Sequence, residues 1–226
     1  MSEVKQDKVI VSLSGGLDST VLLYSLVSTR GAQNVKALTV DYGQRHRREI
    51  DHARKITDTI GVEHRVVDLS PLRALMWNSA LTNDEVDVPK GHYEDESMKQ
   101  TVVPNRNMLL LSVAAVWAIS EGANTIAYAA HAGDDAIYPD CRTVFANAME
   151  GALGLCHSTP IVLERPFVNR RKEDLVTLGR VLGVPFEETW SCYEGGLRHC
   201  GLCGTCCERK EAFSVAGVND RTEYLA

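Results

Sequence analysis

A chain of 226 residues, 44% hydrophobic and 24% charged, has the length and composition of a globular domain with a sizeable core. Its net charge of −6 favours small-molecule ligands over nucleic acid, whose backbone is gripped by lysines and arginines that displace counterions. No apolar run reaches the roughly 18 residues of a membrane span, and Met1 to Lys8 is polar, without the apolar segment of a secretory signal, so a cytoplasmic protein with no membrane partner is expected.

Strand-like and helix-like runs alternate along the chain. Val9 to Ser12 is a short buried strand, and Asp18 to Ser28 a helix closed by Gly31. Val35 to Val40 is a second strand, ending in the polar turn Asp41-Tyr42-Gly43-Gln44. From Arg47 to Ile60, the stripe Ile50, Ala53, Ile56 and Ile60 makes an amphipathic helix that stops at Gly61. Glu63 to Leu69 is a third strand, Asn107 to Glu121 an apolar helix, Thr125 to Ala129 a fourth strand, and Glu173 to Leu182 a helix stopped by Gly183 and Pro185. This rhythm predicts an α/β fold, a parallel sheet with helices on both faces and its ligand crevice at the carboxyl ends of the strands. Asn78 to Pro104 breaks the rhythm and reads as a lid-like insertion or a floppy loop. The basic runs Arg45-His46-Arg47-Arg48 and Arg170-Arg171-Lys172 read as solvated helix faces, with a local basic patch as the alternative.

Ser14-Gly15-Gly16-Leu17-Asp18-Ser19-Thr20 joins the first strand to the first helix. Two glycines at such a turn let backbone N–H groups approach an anion that the helix dipole also favours. No GxxxxGK[ST] string occurs, so this is not a Walker A loop. Asp18 is also placed to cap the helix that follows.

Four of the seven cysteines fall between Cys200 and Cys207, with Cys192 nearby. In a cytosolic chain this clustering points to metal rather than disulfides. Cys192, Cys200, Cys203 and Cys206, spaced C-x7-C-x2-C-x2-C, suit a closed, tetrahedral, structural Zn²⁺ site. Cys207 is its neighbour's rival, and His199 a substitute ligand or a second layer around the ion.

The loop resembles the SGGxDS pyrophosphate loop of the PP-loop ATP pyrophosphatases. With LSGGLDST (Leu13–Thr20), DYGQRH (Asp41–His46), VPNRN (Val103–Asn107), YPDCR (Tyr138–Arg142), TWSCYEGG (Thr189–Gly196) and HCGLCGTCCERKEAF (His199–Phe213), the chain resembles the 7-cyano-7-deazaguanine synthase family from Val9 to Phe213. It departs from the family pattern at Asn105, where VPGRN has glycine. It departs also at His131 to Asp135, in place of a GxNxxD-like string, and at Pro166 to Lys172, a divergent PLIxxSK.

The resemblance implies a Rossmann-like fold of the adenine nucleotide alpha hydrolase type over residues 1–188, with a small zinc-binding helical module at 189–226 packed on the same domain. It implies ATP-dependent conversion of 7-carboxy-7-deazaguanine and ammonia to the nitrile through adenylated acid and amide, with Mg²⁺ and in a homodimer. A relative that stops at the amide, or one that modifies tRNA, is the alternative; the charge and length supply no basic docking domain for the latter. A zinc-knuckle binding module on a degenerate nucleotide fold is a non-enzymatic alternative, opposed by the intact loop.

On the matching positions, Leu13, Ser14, Gly15, Gly16, Leu17, Asp18, Ser19 and Thr20 hold the ATP phosphates, with Asp18 a Mg²⁺ or loop-ordering carboxylate. Val40, Asp41 and Tyr42 read adenine or ribose. Arg106 neutralises a carboxylate or phosphate, and Lys172 the departing pyrophosphate. Asp140 and Arg142 read the deazaguanine ring or brace its loop. Cys141 has no evident histidine partner and reads as a buried thiol rather than a nucleophile.

Overall fold

A computed structural model describes residues 8–226. The polar start Met1 to Lys8, read above for a secretory signal, therefore lies outside the described residues except at Lys8. Five strands form one sheet in the order β3-β2-β1-β4-β5: β1 Val9–Ser12, β2 Val35–Asp41, β3 Glu63–Asp68, β4 Thr125–Ala127 and β5 Val162–Glu164. Every pairing is parallel, as expected, and each strand-to-strand crossover carries a helix.

Alternation along the strands divides the core. Val9, Val11 and Ala37 face α1 (Leu17–Arg30), α2 (Arg48–Ile60) and α5 (Lys172–Leu182). Ile10, Leu38 and Val40 face α3 (Arg106–Ser120) and α4 (Thr143–Leu155). The last helix, α6 (Gly204–Val215), sends Ala212 and Phe213 into the first of these cores, so the cysteine-bearing segment is continuous with the sheet domain. Sequence periodicity left 143–164 unassigned; α4 carries Gly151 and Gly154 and β5 is three residues long, so both give weak signals.

The chain runs outward through β2 and β3, returns, and continues through β4 and β5. The switch in direction lies between β1 and β4, which opens a crevice at their carboxyl ends. The insertion 78–104 is docked rather than loose. Ser79, Leu81, Thr82, Val88, Tyr93, Met98 and Thr101 are buried, and Lys90 pairs with Cys203 in an antiparallel bridge. Arg45 donates to the carbonyls of Asn83 and Val86, at 3.0 and 2.9 Å. In the rest of that run Arg47 is exposed while pairing with Asp41, and Arg48 donates to Gly196 O, so the run is tied to its surroundings as well as solvated. In the second run Arg170 and Arg171 are exposed as expected, but Lys172 is buried, drawn inward by Asp18 and Glu208.

Candidate active site

One crevice gathers most of the expected residues. Its walls include Leu13, Ser14, Gly16, Leu17, Asp18 and Ser19 from the first loop, Val40 and Tyr42 from the end of β2, Arg106 from α3 and Lys172 from α5. The loop is held open by its own hydroxyls. Ser14 Oγ accepts from Gly16 N at 3.1 Å, and Ser19 Oγ accepts from Ser14 N at 3.2 Å. Gly15 has φ +88°, and a Cβ there would stand 2.2 Å from the Glu49 carbonyl oxygen on α2. Glycine is required twice, by backbone conformation and by the close approach of the helix. Gly15→Ala is therefore expected to lower turnover by about 10²-fold or more while the sheet still forms, measured as kcat with near-native circular dichroism.

Several expectations are corrected by placement. The N-cap of α1 is Gly16, so Asp18 sits inside the first turn instead of capping it. The Thr20 hydroxyl donates to Gly16 O at 2.7 Å and is fully buried, turned away from the crevice. Asp41 pairs with Arg47 and accepts from Gly43 N; it shapes the turn behind Tyr42. Asp140 Oδ2 accepts from Asn107 N at 2.9 Å at the start of α3, the loop-bracing alternative. Arg142 is exposed and donates to Asp135 O, outside the crevice walls. Asn105, the departure in VPNRN, has φ +57°, so the position still takes a left-handed conformation, which asparagine tolerates better than most residues. The substitution keeps the turn that aims Arg106.

Beneath the loop lies a charge cluster that only the fold assembles. Lys172 Nζ is 3.1 Å from Asp18 Oδ2 and 2.7 Å from Glu208 Oε2. His131 Nε2 stands 3.6–3.8 Å from Asp134, Asp18 and Glu208, while its Nδ1 accepts from Gly133 N. Burial works against charge on Asp18, yet Lys172 and His131 hold its carboxyl below the ordinary value. Burial likewise opposes the Lys172 ammonium, but Asp18 and Glu208 hold it firmly charged. Burial prevails at Glu208, whose carboxyl is pushed up. Asp18 Oδ1 is buried without a partner, which fits a cation or water at that atom.

Cys192, Cys200, Cys203 and Cys206 bring their sulfurs within 4.8 Å of one another. Backbone N–H groups of Cys200, Leu202 and Cys203 point at cluster sulfurs, at 3.2–3.4 Å, an arrangement that stabilises thiolate. The donor set fits a metal ion. Cys207 Sγ turns instead to Leu202 O, and His199 Nε2 accepts from Ser191 N while its ring packs 4.4 Å from Trp190. Neither joins the cluster. Cys141 is buried, and burial pushes its thiol well up, as suits an inert group.

The cysteine segment also builds a crevice wall. Trp190, Ser191 and Tyr193 flank Cys192, and Thr205 precedes Cys206; all four line the crevice. Trp190 N donates to Gly15 O, which ties this wall to the glycine loop after β1. Fully buried Arg209 fixes the segment through Thr189 Oγ1, Ser191 Oγ, Phe186 O and Asp220. Sequence reasoning missed Glu49, His46, His131 and Glu208 as site residues. Glu49, three residues after His46 in the basic run, offered the one readable hint.

Comparison with known proteins follows the same lines. The family model described as Queuosine biosynthesis protein QueC matches residues 8–217. The chain is 51% identical over 217 residues to 7-cyano-7-deazaguanine synthase of Methanoregula boonei, covering 96% of this chain and 99% of the relative. It is 46% identical over 218 residues to the enzyme of that name in Alteromonas mediterranea, again covering 96% and 99%. Among solved structures it is similar in fold to the U34-tRNA thiolase NcsA from Methanococcus maripaludis with its 4Fe–4S cluster. There the TM-score is 0.50 at 19% identity, over 93% of this chain and 65% of the thiolase chain.

Proposed function

The chain belongs to the QueC family of queuosine biosynthesis proteins, and we propose that its crevice converts 7-carboxy-7-deazaguanine and ammonia to 7-cyano-7-deazaguanine with consumption of ATP. The observation that carries this reading is one crevice holding an anion loop at a helix N-terminus, a cationic Lys172 behind it and a second cation, Arg106, across from it.

Neither a carboxylate nor an amide gives up its oxygen as oxide or hydroxide, so each must first be esterified to a good leaving group. The substrate carboxylate, oriented by Arg106, attacks the α-phosphorus of ATP. Ser14, Ser19, the backbone amides of the loop and Lys172 receive the charge that develops on pyrophosphate. Ammonia displaces AMP from the acyl adenylate and leaves the amide. A second ATP adenylates the amide oxygen, and loss of AMP with a proton leaves the nitrile. Mg²⁺, when bound, screens the phosphate charge; Asp18 Oδ1 is the atom that fits it. Zn²⁺ at Cys192, Cys200, Cys203 and Cys206 is structural and holds the wall of Trp190, Ser191 and Tyr193.

The described residues contain no helix long and apolar enough to cross a membrane, and the acidic balance disfavours a nucleic-acid partner, which supports a cytoplasmic enzyme of small molecules. Met108 and Val116, exposed eight positions apart on α3, offer an apolar stripe for the homodimer. Purified protein given ATP, ammonium and 7-carboxy-7-deazaguanine should yield the nitrile, observed by mass. Accumulation of the amide alone, with ATP still present, would move the chain to the amide-forming alternative.

A further inference from the structure

Glu49 is a buried acid that the mechanism above leaves unused. It lies in the first turn of α2, is 8% exposed, and lines the crevice beside Tyr42, His46 and Arg106. Its Oε1 accepts from Gln44 Nε2 at 2.9 Å, and Gln44 is itself fixed by accepting from Tyr42 N. Its Oε2 stands 3.5 Å from His46 Nε2, too long for a good hydrogen bond. Among the described residues, Glu49 forms no ion pair with lysine or arginine. A carboxylate has about four lone-pair positions, and the one good hydrogen bond from Gln44 leaves this crevice-lining group with accepting capacity to spare. Next to it, His46 is 4% exposed and its Nδ1 has no partner. The orphaned His46 Nδ1 and the neighbouring carboxylate, with one good hydrogen bond, stand on one crevice wall, and an orphaned buried polar atom is costly unless a ligand or water completes it.

We infer that Glu49 reads the amidine edge of the deazaguanine ring, its two carboxylate oxygens accepting from the ring N–H and the exocyclic amine. Parallel N–H donors matched to two oxygens make a bidentate, charge-assisted pair. Adenine offers an acceptor and a donor at the corresponding edge, so an ionised carboxylate repels its ring nitrogen and favours the guanine-like partner. This assignment rests on the proposed substrate and replaces Asp140 and Arg142 as the base-reading element, since neither lines the crevice.

The groups facing Glu49 are Asp41 at the end of β2, Tyr42, Gln44 and His46 from the loop between β2 and α2, and Arg106 from α3. Burial pushes the Glu49 carboxyl up to about 8, against the lowering effects of Gln44 and Arg106. Burial pushes His46 down to about 3 and Tyr42 up to about 12, and Arg106 stays charged. Binding of the amidine edge then releases a proton from Glu49, and affinity should rise with pH until about pH 8.

Calorimetry tests this with 7-carboxy-7-deazaguanine and its analogue lacking the exocyclic amine, on the zinc-loaded full chain. The wild type is expected to prefer the amine-bearing ligand by roughly 10²-fold, and Glu49→Gln to reduce that ratio below about fivefold with ATP affinity within about twofold. An unchanged ratio in Glu49→Gln overturns the assignment, as does a loss confined to ATP. Glu49→Gln should fold, because it removes a group whose raised value makes the wild type lose stability as pH climbs through about 8; the variant should melt higher at pH 9. Should it fail to fold, the wild type alone decides: affinity that does not change between about pH 6 and pH 8 overturns the assignment. Turnover run in parallel separates the two ideas. Nitrile formation with an unchanged ratio keeps the function and removes this role from Glu49, whereas neither binding nor turnover by the wild type removes both.

Discussion

Lys172→Met is expected to lower kcat by roughly 10³-fold, with a much smaller change in the KM for ATP. The ammonium is 91% buried at its side chain and stands between Asp18 and Glu208, so it is held in place before any ligand arrives. A preorganised charge acts on the transition state without reorganising, which is why the loss falls on kcat. The substitution also leaves two partly buried carboxylates without their cation. Breaking a buried pair in this way costs about 3–5 kcal/mol, a large part of a domain's stability. Stability and chemistry can be separated with the double variant Lys172→Met/Glu208→Gln, which removes a negative charge together with the positive one. That variant should recover most of the melting temperature and little of the activity. Recovery of both would make Lys172 a structural ion pair and no more, and its neighbour Asp18 would lose its place in the chemistry as well.

Cys200→Ser is expected to give insoluble protein, while Cys207→Ser stays soluble, keeps about one zinc per chain and melts near the wild type. Structural zinc in small sites contributes about 10–16 kcal/mol, comparable to or above the whole stability of a domain. The two sheet-facing cores are large, so a soluble metal-free form is the competing outcome. Against it stands the position of the cluster. Cys192 carries the wall at Trp190 and Tyr193, and α6, which begins beside Cys203, carries Phe213 into the core. Soluble Cys200→Ser with wild-type melting would show that the cluster is dispensable to the fold. A brown protein rich in iron would assign the four thiolates to a cluster of a different kind.

What the residues revealed depended on range. Short-range signals were legible: Gly31, Gly61 and Gly183 end α1, α2 and α5 as their positions predicted, and C-x2-C spacing located the four-cysteine cluster. The first loop was legible for the same reason, since its glycines and hydroxyls act within a few residues of one another. Long-range assembly was not. His131, Asp134, Lys172 and Glu208 come from the turn that follows β4, the start of α5 and the first half of α6, and no spacing along the chain announces that they meet at Asp18. Asp140 and Arg142 lie outside the crevice walls because a short motif fixes neighbours, not the direction a side chain faces; Asp140 turns to the N-terminus of α3, the loop-bracing half of the expectation. The basic run Arg45 to Arg48 looked solvated because its partners, the carbonyls of Asn83, Val86 and Gly196, lie far along the chain.

The oxygen atoms of the substrate give the most direct test of twofold adenylation in this crevice. With both carboxylate oxygens of 7-carboxy-7-deazaguanine labelled as ¹⁸O, the label should leave one atom at a time in AMP, with two AMP formed per nitrile and none of the label in pyrophosphate. Label appearing in inorganic phosphate, with ADP as the partner product, would mean that the carboxylate attacks the γ-phosphorus and that the loop at Ser14 to Ser19 does not hold a departing pyrophosphate.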